Sequence, residues 1–235
     1  MIYEPENLRT LALVGHGSCG KTSLIEAMLY RSGMIPELGA VERGNTMCDN
    51  DPLEKQVGHS IRLAVAHVDT AMPNLTPVRI HVLDTPGYSD YLGQDLSALD
   101  AVKSVAAVVD AAKGVELLTR RMMQVAADRR LCRMIVVNKF DDPNADLEGL
   151  LEQMREIWGP GVLPINLPTK NHTHVIDCFE REEGESDIMS VEDVHRAFIE
   201  RIVEEDDEAL ERYLEEGSVD PRILHPLITK ALREG

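Results

Sequence analysis

The sequence is poor in aromatic residues, which make up 4% of its 235 positions. Val, Leu, Ile, Ala and Met must therefore fill the core, within an apolar fraction of 43% that is ordinary for a globular domain. No apolar run approaches the length of a membrane span, and no signal peptide precedes the first predicted strand. We therefore expect a cytoplasmic protein of one large domain, or a domain with an insertion, that does not act at a membrane.

Paired cysteine spacing is also lacking. The four cysteines, Cys19, Cys48, Cys132 and Cys178, form no C-x-x-C motif. We therefore expect reduced thiols in a reducing compartment. Cys19 falls inside the loop motif described below, where a small filler residue and a redox role are both open interpretations.

Positive charge is scarce, because 24 Lys and Arg face 41 Asp and Glu, for a net charge of −17. The acidic residues concentrate in Asp177–Glu216, which holds 17 acidic and 4 basic residues. Long-range attraction to bare nucleic acid is not expected of such a chain, so we predict no direct DNA binding. The acidic segment is either a solvated helical face or a docking surface for a basic partner.

The most informative stretch is Gly15–Thr22, which reads GHGSCGKT and fits the pattern G-x-x-x-x-G-K-[ST]. It follows Leu11–Val14, a run typical of a buried parallel strand, and precedes apolar residues at helical spacing that end at Gly33. In this context a glycine-rich loop wraps phosphate groups with its backbone N–H groups. Lys21 would reach the β- and γ-phosphates, and the Thr22 hydroxyl would bind Mg²⁺. The alternative, a glycine turn followed by Lys-Thr by chance, is disfavoured by two further motifs.

These two motifs follow other predicted strands. In Asp84–Gly87 (DTPG), the carboxylate can hold Mg²⁺ through a water, and the Gly87 N–H can sense the γ-phosphate. In Asn138–Asp141 (NKFD), the Asp141 carboxylate can accept from the ring N–H and the amino group of guanine, a pattern that adenine lacks. The three motifs together predict a guanine-nucleotide site. Its predicted nucleotide-binding residues are Gly15, His16, Gly17, Ser18, Cys19, Gly20, Lys21, Thr22, Ser23, Asp84, Gly87, Asn138, Lys139 and Asp141.

The order of the predicted elements indicates the fold class. Strands at 11–14, 61–68, 78–83, 105–109 and 134–137 alternate with helices after Gly20, around 118–125 and at 147–157, the last with Asp146 as N-cap. This alternation predicts a mainly parallel sheet covered on both faces, the three-layer α/β/α architecture of phosphate-loop (P-loop) NTPases. The second and third strands are predicted to form an antiparallel edge hairpin through a turn at 72–77. The polar segment 34–60 is predicted to be a long mobile loop.

Residues 1–158 are thus predicted to form the nucleotide-binding core. From Gly159 onwards prolines and glycines interrupt the pattern, and the acidic segment follows. Ser190 and Asp193 have capping-box spacing, and helices are predicted around 194–202, 206–215 and 221–233. We predict that residues 159–235 form a helical, acidic insertion packed against the core.

On these motifs the chain resembles the G domain of translation elongation factor G and its paralogs, over essentially its whole length. The resemblance includes Thr46–Ile61 as the first switch, Asp84–Tyr91 as the second switch, and Asp206–Leu214 within that family's extra subdomain. It implies a GTPase that acts on ribosomes with GTP or GDP and Mg²⁺, its insertion facing the ribosomal stalk protein. The implied Mg²⁺ residues are Thr22, Ser60 and Asp84, and the implied catalytic residues are Lys21, Gly87 and Tyr88.

The chain departs from the family's pattern at several positions. Where the family has RGITI, this chain has VGHSI, so Ser60 keeps a hydroxyl but His59 replaces an apolar gate residue. Tyr88 stands where the main translocation factors carry the histidine that orients the attacking water. Tyrosine is a poor base near neutral pH, and loss of such a group typically costs about 10²–10⁴ in rate. Ser18 replaces the family's Asp, an implied ligand of a monovalent cation.

Three functions remain open at this point. The first is a GTP-hydrolysing domain of an elongation factor G-like factor, with low intrinsic activity. The second is a guanine-nucleotide switch that hydrolyses negligibly, and the third is the G domain of a ribosome-protection or release-factor GTPase. The family's core ends in a strand whose Ser-Ala turn contacts guanine, whereas this sequence stops at Gly235. We therefore expect a core without its last strand, a fragment of a larger factor, and weakened nucleotide binding.

Overall fold

The computed structural model describes residues 3–49, 51–70 and 77–217, together with residues 224, 227 and 228. The chain divides into two compact units, Met1–Asn138 and Lys139–Gly235. The sequence predicts a boundary after residue 158 instead, and the assignment of residues 139–158 to the nucleotide-binding core stays a prediction. Within the described ranges, no helix is long and apolar enough to cross a membrane.

A five-stranded sheet forms the centre of the first unit. In chain order its strands are Leu8–Val14 (β1), Ala64–Thr70 (β2), Val78–Asp84 (β3), Ser104–Asp110 (β4) and Cys132–Asn138 (β5). They lie in the order β2-β3-β1-β4-β5, with β1 parallel to β3 and β4, and β4 parallel to β5. The predicted edge hairpin is confirmed, because β2 pairs antiparallel with β3. Of its predicted turn, residues 72–76 lie outside the described residues.

Uninterrupted apolar segments occupy the centre of this sheet. The side chains of Ala12–Val14 on β1 and Val105–Val109 on β4 are at most 2% exposed. A central parallel strand is covered on both faces, so a continuous apolar run is stable there. The helices of this unit are Lys21–Arg31 (α1), Pro52–Val57 (α2), Leu92–Asp100 (α3) and Leu117–Asp128 (α4). The predicted α/β fold with a mainly parallel sheet is confirmed.

The segment between α1 and β2 contains a helix that the sequence analysis did not predict. Helix α2 begins after Asp51, whose carboxylate accepts a hydrogen bond from Leu53 N at 2.9 Å. The Glu54 carboxylate in turn accepts from Asp51 N at 3.2 Å, which completes a capping box. The prediction of a continuous loop over residues 34–60 is therefore wrong.

Strand β2 begins at Ala64, three residues later than the sequence predicts. The cause is the hydrogen bonding of the residues before it. Ile61 N and Arg62 N donate to Glu54 Oε1 at 2.8 and 2.9 Å, and Leu63 N donates to the side-chain oxygen of Gln94. Because side chains accept from these N–H groups, residues 61–63 do not extend the pairing of β2 with β3, although their apolar residues alternate.

The second unit contains helices Leu147–Trp158 (α5), Val191–Val203 (α6) and Asp207–Glu216 (α7), and an antiparallel pair of strands, Asn166–Thr169 (β6) and His174–Asp177 (β7). The helices confirm the prediction, as do the N-caps Asp146 and Ser190, which accept from Gly149 N and Asp193 N. The small sheet was not predicted, because its strands have only four residues each. Most of the predicted helix 221–233 lies outside the described residues.

Candidate functional site

Residues Gly15–Gly20 form a tight loop between β1 and α1, which begins directly after them at Lys21. Gly20 has a left-handed backbone (φ +99°), and a Cβ there would lie 2.2 Å from the side-chain nitrogen of Asn138. Asn138 Nδ2 donates to the Cys19 carbonyl at 2.9 Å, which joins the end of β5 to the loop. The glycine is therefore required both for the turn and for the close approach of this amide.

Lys21 is the buried cation of this loop, with 5% of its surface exposed. Its Nζ donates to the carbonyl oxygens of Gly15 at 3.0 Å and His16 at 2.9 Å. A Cβ on Gly87 would lie 2.3 Å from the same nitrogen, so the turn after β3 lies directly against the ammonium group. The first and second sequence motifs therefore meet at a positive charge beside the N-terminus of α1, where helix geometry favours anions.

Thr22 and Asp84 are joined by a short hydrogen bond at the centre of the site. Thr22 Oγ1 donates to Asp84 Oδ2 at 2.6 Å and lies 3.3 Å from Ser60 Oγ. Asp84 is 1% exposed, and its Oδ1 has no hydrogen-bond partner among the described residues. Burial raises the pKa of Asp84 to about 6, although the bond from Thr22 and the charge of Lys21 oppose that shift. A buried carboxylate oxygen without a donor is costly, and a cation would relieve that cost.

Three oxygen-bearing side chains here fit a magnesium ion. The possible ligands are the hydroxyls of Thr22 and Ser60 and the carboxylate of Asp84, all hard oxygen ligands. Mg²⁺ is commonly held by one or two carboxylates while it keeps several waters and substrate phosphates. No group of three or more His, Cys, Asp or Glu side chains in the described part of the chain could hold a metal alone. These three side chains would therefore bind Mg²⁺ together with waters and a phosphate, and would not enclose the ion with protein ligands alone.

Buried carboxylates also hold the segment before β2, a feature that the sequence analysis missed. Glu26 on α1 is 1% exposed and accepts from the backbone N–H groups of Gly39 and Met47. Asp49 is 3% exposed and accepts from Ser60 Oγ at 2.9 Å, which holds that hydroxyl towards Thr22. The capping-box spacing at the start of α2 was the available sequence signal, whereas burial of the other carboxylates has no local pattern.

Tyr88 lies beside two histidine rings. Its ring centroid is 4.6 Å from that of His59 and 6.2 Å from that of His16. His16 Nδ1 is 3.3 Å from a carboxylate oxygen of Glu116. A Cβ on Gly17 would lie 2.3 Å from Tyr88 Cζ, so the tyrosine ring covers the phosphate loop at Gly17. The sequence predicts Tyr88 and His16 at the site and His59 in the first switch, but not that the three rings lie together or that Glu116 is beside His16.

The remaining predicted residues occupy more open positions. Ser18 in the loop and Ser23 on the first turn of α1 are exposed. Lys139, with a left-handed backbone (φ +55°), and Asp141 belong to the second unit, and both are exposed there. The four cysteines all lie in the described ranges and form no disulfide, as predicted.

The fold and this site define a phosphate-loop nucleotide-binding protein of the α/β class, with a glycine-rich loop and a buried lysine at the carboxyl end of a parallel strand. The chain belongs to the family described as "Elongation factor Tu GTP binding domain", whose profile matches residues 6–224. It is therefore a G domain of the translational GTPases, a family of GTP-hydrolysing enzymes.

Similar proteins agree with this assignment. The chain is 31% identical over 98% of its length to an elongation factor G-like protein of Mycobacterium tuberculosis (strain CDC 1551 / Oshkosh), of which it covers 34%. It is 31% identical over 83% of its length to peptide chain release factor 3 of Streptococcus agalactiae serotype Ia, of which it covers 39%. A crystal structure of a Thermus thermophilus protein matches 97% of this chain with a TM-score of 0.84 and 35% identity, and 36% of that chain is covered. The predicted resemblance to elongation factor G is confirmed, and the chain spans 34–39% of these proteins.

Proposed function

We propose that this chain is the GTP-binding and GTP-hydrolysing domain of an elongation factor G-like GTPase that acts on the ribosome in the cytoplasm. The observation that carries the proposal is the arrangement of Lys21, Thr22 and Asp84 at the carboxyl ends of β1 and β3, in a chain of this family. In phosphoryl transfer these residue types contact the β- and γ-phosphates and their metal ion.

The phosphates would lie in the loop Gly15–Thr22. Its backbone N–H groups and the N-terminus of α1 would bind phosphate oxygens. Lys21 Nζ now donates to two loop carbonyls, and it would exchange these partners for β- and γ-phosphate oxygens. The Gly87 N–H would sense the γ-phosphate, because its turn lies against that ammonium group. After that exchange, Lys21 would stabilise the charge that develops on the transferring phosphoryl group.

Thr22, Ser60 and Asp84 would hold Mg²⁺. The bound ion would supply neutralisation of phosphate charge. Ser60 belongs to the first switch, Thr46–Ile61, and Asp49 holds its hydroxyl near Thr22. Loss of the γ-phosphate would remove the anion that favours the position of Ser60 near Thr22. The first switch would then lose this ordered position.

The base would be selected by Asn138, Lys139 and Asp141. The Asp141 carboxylate would accept from the ring N–H and the amino group of guanine. Asn138 Nδ2 already donates to the Cys19 carbonyl, which joins the end of β5 to the phosphate loop. A bound adenine would leave the carboxylate without donors, which is why discrimination against it is expected to be large.

A second candidate function is a guanine-nucleotide switch with negligible hydrolysis. Tyr88 favours it, because this residue replaces the histidine that orients water in the main translocation factors. A release-factor role is a third candidate, favoured by the match to release factor 3. In each case residues 159–235, whose segment Asp177–Glu216 holds 17 acidic and 4 basic residues, would contact the ribosomal stalk protein.

Calorimetric titration with GDP, GTP and ATP in the presence of Mg²⁺ tests the nucleotide site. We expect GDP and GTP to bind with a preference over ATP on the order of 10⁴-fold. Asp141→Ala should abolish that preference, whereas Glu148→Ala, an exposed carboxylate in the same unit, should preserve it. Equal binding of GDP and ATP by the unmodified chain would contradict the proposal. Turnover in the presence of ribosomes then separates the hydrolysing domain from the switch.

A further inference from the structure

His59 and Tyr88 form an aromatic pair that replaces two residues of the family's usual pattern. Their ring centroids are 4.6 Å apart and the ring planes are tilted by 43°. His59 Nδ1 lies 3.2 Å from the Ser60 carbonyl oxygen. A carbonyl can only accept, so Nδ1 carries the hydrogen in this contact and the imidazole is held by the backbone. An apolar side chain at this position would lack that hydrogen bond.

The other end of Tyr88 reaches the phosphate loop. A Cβ on Gly17 would lie 2.3 Å from Tyr88 Cζ and 2.6 Å from its hydroxyl oxygen. The hydroxyl is therefore at the surface of the loop, and the adjacent residue Gly87 lies against Lys21 Nζ. A group in this place faces the phosphates that the proposed function assigns to the loop.

We propose that His59 is a positioning residue, which packs against the ring of Tyr88 and holds its hydroxyl at the phosphate loop, where that hydroxyl donates a hydrogen bond to the terminal phosphate of GTP. This inference rests on the proposed function of the loop. His16, whose Nδ1 lies 3.3 Å from a Glu116 carboxylate oxygen, flanks the same ring at a centroid distance of 6.2 Å. The Tyr88 hydroxyl then acts as a hydrogen-bonding group and does not need to remove a proton.

Affinities for GDP and for a non-hydrolysable GTP analogue, with single-turnover hydrolysis at saturating GTP, test this inference. Tyr88→Phe keeps the ring and removes the hydroxyl, and His59→Ala removes the packing partner. Each should weaken the GTP analogue about fivefold, as expected for one hydrogen bond, and leave GDP affinity unchanged. Any measurable hydrolysis should slow at least as much. His59→Phe keeps an aromatic partner without the Ser60 contact, so it should have a smaller effect. His67→Ala, an exposed histidine on β2, is the matched control.

The double variant decides whether His59 acts through Tyr88. His59→Ala should add no further loss to Tyr88→Phe, because the hydroxyl that it positions is already absent. Fully additive losses, or equal losses of GDP and GTP-analogue affinity, would overturn the inference. If the unmodified chain binds GDP and His59→Ala binds the GTP analogue as tightly as the unmodified chain does, this inference is overturned and the proposed function is not. Failure of the unmodified chain to bind GDP would overturn the proposed function as well.

Discussion

Asp84 is expected to make the stability of the nucleotide-free protein depend on pH. Its carboxyl is 1% exposed, and burial raises its pKa from 3.8 to about 6. A carboxyl with a raised pKa holds its proton more tightly in the folded state, so its contribution to stability is lost as pH rises through the folded pKa. A shift of about two pH units corresponds to about 3 kcal/mol, and roughly 2 kcal/mol of this falls between about pH 4.5 and pH 8.

Asp84→Asn removes this titration and retains an oxygen that can accept from the Thr22 hydroxyl. The free energy of unfolding of the variant, minus that of the unmodified chain, should therefore increase by about 2 kcal/mol from about pH 4.5 to pH 8. The measurement is urea unfolding followed by circular dichroism, with EDTA and without nucleotide. Asp90→Asn, at an exposed carboxyl after the same turn, should show no such increase. A difference for Asp84→Asn that stays constant across this range would refute the reasoning, since it would mean that Asp84 ionises without penalty.

Further predictions concern the backbone around the site. Glu54→Ala removes the acceptor of the Ile61–Arg62 N–H groups, so their hydrogen exchange should accelerate about tenfold or more, whereas Lys55→Ala should not change it. Gly20→Ala imposes a left-handed alanine against a side-chain amide, so it should cost at least about 1 kcal/mol and abolish GDP binding. If calorimetry shows that Gly20→Ala keeps its affinity for GDP, this prediction is wrong. Gly93→Ala, in α3 with no atom within 4 Å of the new methyl, should raise the unfolding free energy by about 0.5–1 kcal/mol in urea.

The parts of the fold that were predictable depend on residues close together along the chain. The apolar run before Gly15 predicts a buried strand, and the glycines and Lys-Thr after it predict the loop and the start of α1. Asp146 and Ser190 were recognised as N-caps from spacing alone, and both make the expected bond. Short strands such as β6 and β7 were missed, because four residues are too few to show a period.

The sequence by itself therefore determined the α/β class, the three motifs and their place after strands, because each is encoded by adjacent residues. Only the tertiary structure decided which side chains meet. Thr22 bonds to Asp84 across 62 positions and lies beside Ser60 across 38. Likewise, the raised pKa of Asp84 and the pairing of His59 with Tyr88 depend on burial and proximity that distant segments create. Such properties belong to the packed chain, since no local pattern of residue types specifies which carboxylate is cut off from water.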